Sequence, residues 1–433
     1  MIKKYIQKII PLLFFVIIAL IISGAAIRSE SNPLIKSSNT DSAAILLENY
    51  SNIVDNRNLK LMQLRSEIKA AHSRVVSSGV LMEPEFSYSY NITDASKRNH
   101  KLSLTQEFPL TSKLKLEKKI EDLKVNEITQ MFDAERRKLI YQIKNIYFDI
   151  YFLAKQRNLT SENIELLKSI EAVLSAKYKT AKTNYADLIQ IQIQIDELNN
   201  TLEAYEDMLQ PLIYKFNKFL NRGDTEIIIM PQTLDINKSN LSEEEMQKAV
   251  LDLNPEIKTY NLKISAAETQ IDIAKKEYVP DLMTGIDFET MRSGSGGEMS
   301  STSSTDNTVM LMVSIKLPVW RKKLGAMIEE RKKMKDALKS ERGDIENILL
   351  SQLKSDIAYL GIAEKKIKLY RDSIIPKSIQ TIEIIKNDYI TNKANFKDLI
   401  ENFKMYLEYN IMLERMKTEY NKMTAEIEML TGN

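Results

Sequence analysis

Cysteine is absent from the 433 residues. That excludes disulfides, thiolate nucleophiles, cysteine-ligated metals and any lipid anchor built on an N-terminal cysteine. Glycine (11) and proline (10) are scarce, so turns are few and the elements between them are long. The only histidines are His72 and His100, with no His-Glu-x-x-His pattern to hold a catalytic zinc. Phosphate-cradling glycine loops and nucleophile elbows are missing too, so no enzymatic constellation and no cofactor is expected. Neither sign of charge dominates. Sixty-one basic against fifty-nine acidic side chains give +2, interspersed as on solvated helix faces. Nucleic acid as a partner would call for a clustered basic surface.

The first long apolar run is also the last. Residues 9–22 are apolar apart from Pro11, follow Lys3, Lys4 and Lys8, and precede the small residues Ser23-Gly-Ala-Ala26. Residues 1–26 therefore read as a secretory signal peptide. The apolar run of about 14 residues is short for a membrane helix, which takes about 20. An exported chain with no second apolar helix is periplasmic, extracellular or a β-protein of an outer membrane.

A repeat organises what remains. Residues 178–189 read YKTAKTNYADLI and residues 389–400 read YITNKANFKDLI, identical at seven of twelve positions and 211 apart. Asn58-Leu-Lys-Leu61 aligns with Asn254-Pro-Glu-Ile257 and Pro84 with Pro280 at an offset of 196, and Pro109 with Pro318 at 209. The period is half the chain, which marks a duplication rather than a short-repeat solenoid. The first repeat spans 27–220, a linker 221–241 and the second repeat 242–433.

Residues 40–82 read helical. Long helices are expected over about 112–220 and 322–431, with Pro376 at the start of the last one. Leu139, Ile143, Ile146, Ile150 and Leu153 step by four and three, and the series from Leu188 through Ile191, Ile195, Leu209 and Phe216 continues that alternation. A period of 3.5 marks a coiled-coil seam. It runs in phase through Leu188–Ile195, although LIQIQIQI alternates like a strand. Ser242 and Glu245 have the spacing of a capping box. A helix of about 45 residues is about 67 Å long, so the object is elongated.

Four stretches alternate with period two, at about 85–92, 100–108, 281–291 and 308–317. Phe86, Tyr88 and Tyr90 oppose Glu85, Ser87 and Ser89; Val309, Leu311, Val313 and Ile315 oppose Ser314 and Lys316. The pattern alone fits soluble hairpins with one buried face. Export and the Ser/Gly tract 293–308 favour strands that cross a membrane, apolar side outward. Four strands cannot close a barrel, and an open edge is not tolerated in lipid, so the chain must oligomerise. Trp320 beside Arg321 suits a membrane interface, or a loop-packing role. Met283, Met291, Met299, Met310 and Met312 crowd the second hairpin and read as flexible apolar filler rather than a soft-metal relay.

The order helix, strand, strand, long helix, long helix, given twice, resembles the TolC-like outer-membrane efflux proteins. So do the phrases Asn254-Pro-Glu-Ile257, Val279-Pro-Asp-Leu282 and Leu317-Pro-Val319, and the likeness covers about 40–431. Gln106-Glu-Phe-Pro109 with Lys113 resembles that family's heavy-metal branch. The fold class implied is mainly α with a transmembrane β-barrel portion: a trimer of duplicated protomers forming a twelve-stranded barrel and a long periplasmic α-helical barrel. The function implied is an exit duct of a tripartite efflux or secretion system in the outer membrane of a Gram-negative-type bacterium. Its partners would be a periplasmic adaptor and an inner-membrane transporter. The competing class is a non-channel periplasmic coiled-coil protein such as the adaptor itself. The twice-written phrase then falls at two helix tips around a gated mouth. Asp398, Glu401 and Asp187 would be the entrance acids, with Tyr178, Lys182, Tyr389 and Lys393 supporting them. Ala181 and Asn392 stand where the family has glycine, and Ala394 where it has a locking arginine, which Lys393 would replace. Acids at a helix start also stabilise it by capping and through its dipole.

Overall fold

A computed structural model describes residues 33–38, 42–90, 97–180, 183–236, 241–293, 304–391 and 393–432. The signal-peptide reading of 1–26 lies outside them. In chain order the elements are β1 (Ile35–Ser38), α1 (Ala43–Arg57), α2 (Leu59–Ser77), β2 (Glu85–Tyr90), β3 (Lys97–Pro109), α3 (Lys113–Lys179) and α4 (Tyr185–Phe219). After β4 (Ile228–Pro231) come α5 (Glu243–Leu253), α6 (Pro255–Lys276), β5 (Asp281–Ser293), β6 (Ser304–Lys316), α7 (Arg321–Leu369), a π turn (Tyr370–Ile374), α8 (Ile375–Ile390) and α9 (Phe396–Thr431). Two helices, a β-hairpin and two long helical arms thus occur twice. The chain clusters into two compact units that cut across this repeat: Met1–Ile53, Gln142–Lys238 and Tyr359–Ala425 in one, Val54–Tyr141, Ser239–Ala358 and Glu426–Asn433 in the other.

The first unit holds coiled-coil seams and a small parallel β pair. Ile143, Ile146, Ile150 and Leu153 are buried, as are Ile191, Ile195, Leu209 and Phe216. The alternating LIQIQIQI is helical. β1 and β4 pair in parallel, Ile35 with Ile228 through Ser38 with Pro231, joining the start of the first repeat to what the sequence reads as linker. Two tyrosines pin β4: Tyr50 Oη accepts from Ile229 N at 2.8 Å, and Tyr147 Oη donates to Ile229 O at 3.2 Å. Their rings pack on Phe216, Tyr50 edge-on at 5.0 Å and Tyr147 at 6.1 Å.

A second difference lies before Pro376. The last helix starts at Phe396, not at Pro376, and α7 runs into α8 through the π turn. Proline has no N–H to donate and its ring crowds the carbonyl four residues back, at Asp372; one extra residue in the turn relieves that clash. At an offset of 211 the first copy has Glu165 there, inside an unbroken α3.

In the second unit the repeated asparagines explain themselves. Asn58 separates α1 from α2 and accepts from Lys60 N (2.9 Å) and Leu61 N (3.3 Å). Asn254 separates α5 from α6, accepts from Glu256 N (2.9 Å) and donates to Leu430 O (3.1 Å). Each copy so breaks its opening helix with an N-cap and restarts it. The Ser242–Glu245 capping box forms. Gly79 has φ +70°, and a Cβ there would lie 2.8 Å from Leu114 O, so the α2–β2 turn requires glycine. Arg136 forks onto Asp55 with two 2.6 Å bonds, tying α3 to α1.

Candidate functional site

Strands β2, β3, β5 and β6 form one antiparallel sheet in that order. Strands β3, β5 and β6 each have 13 residues, longer than the alternation implied. Register places Phe86, Leu104, Ile286 and Leu311 in one row, and Tyr88, Leu102, Phe288 and Val309 in the next. All these side chains are exposed within the chain, Leu311 to 80%. On this face the apolar stretch runs from Leu102 to Phe108 in β3, Leu282 to Phe288 in β5 and Val309 to Ile315 in β6, about 24 Å along each strand. An uncovered apolar face of this size in water would be an aggregation hazard. Among the described side chains this face bears no carboxylate, lysine or arginine; His100 takes a 2.9 Å bond with Tyr88 Oη through Nδ1.

The opposite face is polar. Lys101 meets Asp287 at 2.8 Å, and Glu289 accepts from Asn99 Nδ2. Gly285 admits close strand packing: a Cβ would fall 2.9 Å from Thr105 Cγ2 and 3.1 Å from Leu104 O, and the Met312 methyl lies over the gap. Met283, Met310 and Met312 lie on this face, while Met299 lies outside the described residues. Past β6, Trp320 is 75% exposed beside exposed Leu317 and Val319. Both outer strands, β2 and β6, have one edge unpaired among the described residues.

The two helix tips lie in the first unit. Asn184 begins α4, accepting from Ala186 N at 3.3 Å, and Asn395 begins α9, accepting from Asp398 N at 2.9 Å. These are equivalent positions of the repeated phrase, so asparagines and not the acids are the caps. Asp187 and Asp398 sit one turn further on, where the helix dipole favours a carboxylate. Asp398 and Glu401 are both exposed, three residues apart. Asp187 is half-buried and accepts from Thr183 Oγ1 at 2.9 Å; Thr183 also meets Tyr389 Oη at 3.1 Å. Lys177 Nζ donates to Tyr389 O at 3.0 Å and lies 4.3 Å from the Tyr389 ring centre.

The aromatic pairs of the repeat therefore diverge. Tyr389 is 8% exposed and stacks near Phe396 at 5.9 Å in a core with Leu174, Ile191, Leu399 and Phe403. Tyr178 is 45% exposed, 5.3 Å from Tyr185. Burial raises the Tyr389 phenol above its ordinary pKa, so it stays a neutral donor. Lys393 lies exposed, its backbone N–H donating to Asp388 O at 2.8 Å. Among the described residues Asp187 has no lysine or arginine within ion-pair distance; Lys182, Ala181 and Asn392 lie outside them. The link between the tips is built from Lys177, Thr183 and Tyr389, two of which the sequence reading passed over.

No family model matches the sequence, and no curated protein matches it. Solved structures do match the fold. The Campylobacter jejuni CmeC outer membrane channel aligns with TM-score 0.72 and 14% identity over 89% of this chain and 85% of that one. Vibrio cholerae VceC, an outer membrane protein, gives 0.73 and 12% over 90% and 96%. The open state of the Neisseria gonorrhoeae MtrE outer membrane channel gives 0.71 and 12% over 89% of both. With its doubled helix–hairpin–helix order, its four-stranded sheet and its paired helix tips, the chain has the TolC-like outer-membrane channel fold.

Proposed function

We propose that the chain is the outer-membrane exit duct of a tripartite efflux or secretion system, working as a homotrimer with a periplasmic adaptor and an inner-membrane transporter. The observation that carries this is the sheet: one face mostly apolar and exposed, without a charged group among the described side chains, the other polar, with two edges unpaired among the described residues. β2 and β6 are antiparallel to each other, so a head-to-tail ring joins β6 of one copy to β2 of the next without breaking the alternation. Such a ring removes every edge, as lipid requires. Three copies give twelve strands, and the polar face becomes a lumen.

The function is passive conduction in a Gram-negative-type outer membrane, with the helices extending into the periplasm; no bond is made or broken. Around a threefold axis Asp398 and Glu401 supply six carboxylates to the mouth, which favours cations. The Lys177–Tyr389–Thr183–Asp187 chain of contacts ties the first tip to the second within a protomer, and its release is the gating step. Cell fractionation and bilayer recording test the proposal. A trimer in the outer-membrane fraction that forms conducting pores is the expected result; a soluble periplasmic monomer that forms none refutes it.

A further inference from the structure

One row of the outer face is basic. Register sets Arg98 opposite Arg292 on the face that carries Leu102, Phe288 and Val309. The pair stands four residues beyond that last apolar row, at the hairpin end of the sheet rather than the helix end. Four residues are about 14 Å along a strand, or about 10 Å across a membrane at a tilt near 40°. Between the two rows lie Tyr90, His100, Thr290 and Asn307. Tyr88 and Tyr90 are exposed, and their rings lie 6.2 and 4.8 Å from that of His100. Amphipathic rings of this kind sit where a membrane meets water, so the arginine row falls at the level of the headgroups. The acids of these strands do not share this face: Glu85, Glu107, Asp281, Asp287, Glu289 and Asp306 all hold positions on the other one. The helix end of the face closes on apolar Phe108, Leu282 and Ile315.

This step rests on the barrel reading above, which turns the face towards lipid. Like charges directly opposite each other on neighbouring strands repel, and an anion held by both offsets that cost. Guanidinium groups bind phosphate through paired N–H donors. A phosphate monoester carries about −1.5 to −2 at neutral pH, which matches two arginines; the diester of an ordinary phospholipid carries a single charge. Acyl chains of the same molecule would lie along the apolar rows below. We propose that Arg98 and Arg292 bind the phosphate of a phosphomonoester lipid in the outer leaflet, one site per protomer.

The test is native mass spectrometry of the purified full-length trimer in a neutral detergent. It is titrated with diphosphoryl lipid A and with the same lipid after phosphatase treatment; phosphatidylglycerol supplies a diester and inorganic phosphate a free anion. The phosphorylated lipid should bind about thirtyfold tighter than the dephosphorylated one, since each basic residue beside an anionic headgroup contributes about fivefold. R98Q/R292Q should abolish that difference. If this variant does not assemble, R98Q and R292Q singly should each lose about fivefold. Equal binding of the dephosphorylated lipid overturns the inference and leaves the channel reading intact. So does a preference that survives R98Q/R292Q, equal binding of phosphatidylglycerol, or displacement of the lipid by millimolar inorganic phosphate. A chain that forms no trimer overturns the channel reading and this one with it.

Discussion

Replacing Asp356 with asparagine should stabilise the protein at neutral pH and do little in acid. Asp356 lies on α7 and is 4% exposed. One oxygen accepts from Gln352 Nε2 at 2.9 Å, and the other has no hydrogen-bond partner. The same Gln352 group donates to Glu426 of α9 at 3.1 Å, and Tyr141 of α3 donates to the second Glu426 oxygen at 3.0 Å. Among the described residues neither carboxylate has a lysine or arginine within ion-pair distance. Burial, then the field of Glu426, push Asp356 up from 3.8 to about 6, against the pull of the Gln352 bond. The folded state therefore holds the proton more tightly than the unfolded chain does. Its stabilising effect is complete below about pH 4, fades as pH rises through about 6, and is absent above. Two pKa units correspond to about 2 to 3 kcal/mol. The substituted asparagine keeps the acceptor for Gln352, carries no charge, and turns an N–H₂ rather than a lone pair towards the acidic neighbour. Circular-dichroism melts at pH 4, 5, 6, 7 and 8 at fixed protein concentration measure the effect. D356N minus wild type should be near zero at pH 4 and rise by about 2 to 3 kcal/mol by pH 7.5. A difference independent of pH would refute the assignment of a shared, counterion-free carboxyl cluster.

Three further outcomes follow from the site. Tyr389→Ala empties a core position and should cost about 3 kcal/mol or more, whereas exposed Tyr178→Ala should cost less than about 1 kcal/mol. Limited proteolysis at the tips, faster only in Y389A, reads the difference. Leu311→Arg puts a charge on the lipid-facing side and should cost about 2–4 kcal/mol per chain, seen as loss of heat-resistant trimer, while serine at neighbouring Met310 should leave the trimer intact. Asp398→Ala with Glu401→Ala removes six carboxylates from a trimeric mouth. Block by polyvalent cations in bilayers should weaken at least about tenfold, or about 1.4 kcal/mol; unchanged block would remove those residues from the entrance.

The hairpins were legible because period-two alternation is written locally, in Phe86-Ser-Tyr88-Ser-Tyr90 and Val309 to Ile315. The seams were legible for the same reason at a period of 3.5. The β1–β4 pair was not, because parallel pairing joins segments nearly 200 residues apart and Ile35-Lys-Ser-Ser38 has no alternation of its own. The π turn escaped because it answers a clash at one proline. At the tips, a reading guided by the repeat attended to positions where the copies agree. The structural link uses positions where they differ: Lys177 aligns with Asp388, and Thr183 with Ala394. The N-caps Asn184 and Asn395 were in plain view in both copies, but the nearby acids drew the assignment.

The central claim is that the sheet is completed by other copies of the same chain, β6 against β2. A chain without cysteine allows a background-free test. One cysteine on β2 and one on β6, scanned along the two edges, should oxidise to a covalent trimer on denaturing gels. Within a single chain the two edges are three strand spacings apart, about 14 Å, beyond the roughly 7 Å Cα separation that a disulfide spans. Closure of three protomers at one or more register positions is the predicted result. Monomers at every position, or an end point at covalent dimer, would contradict it.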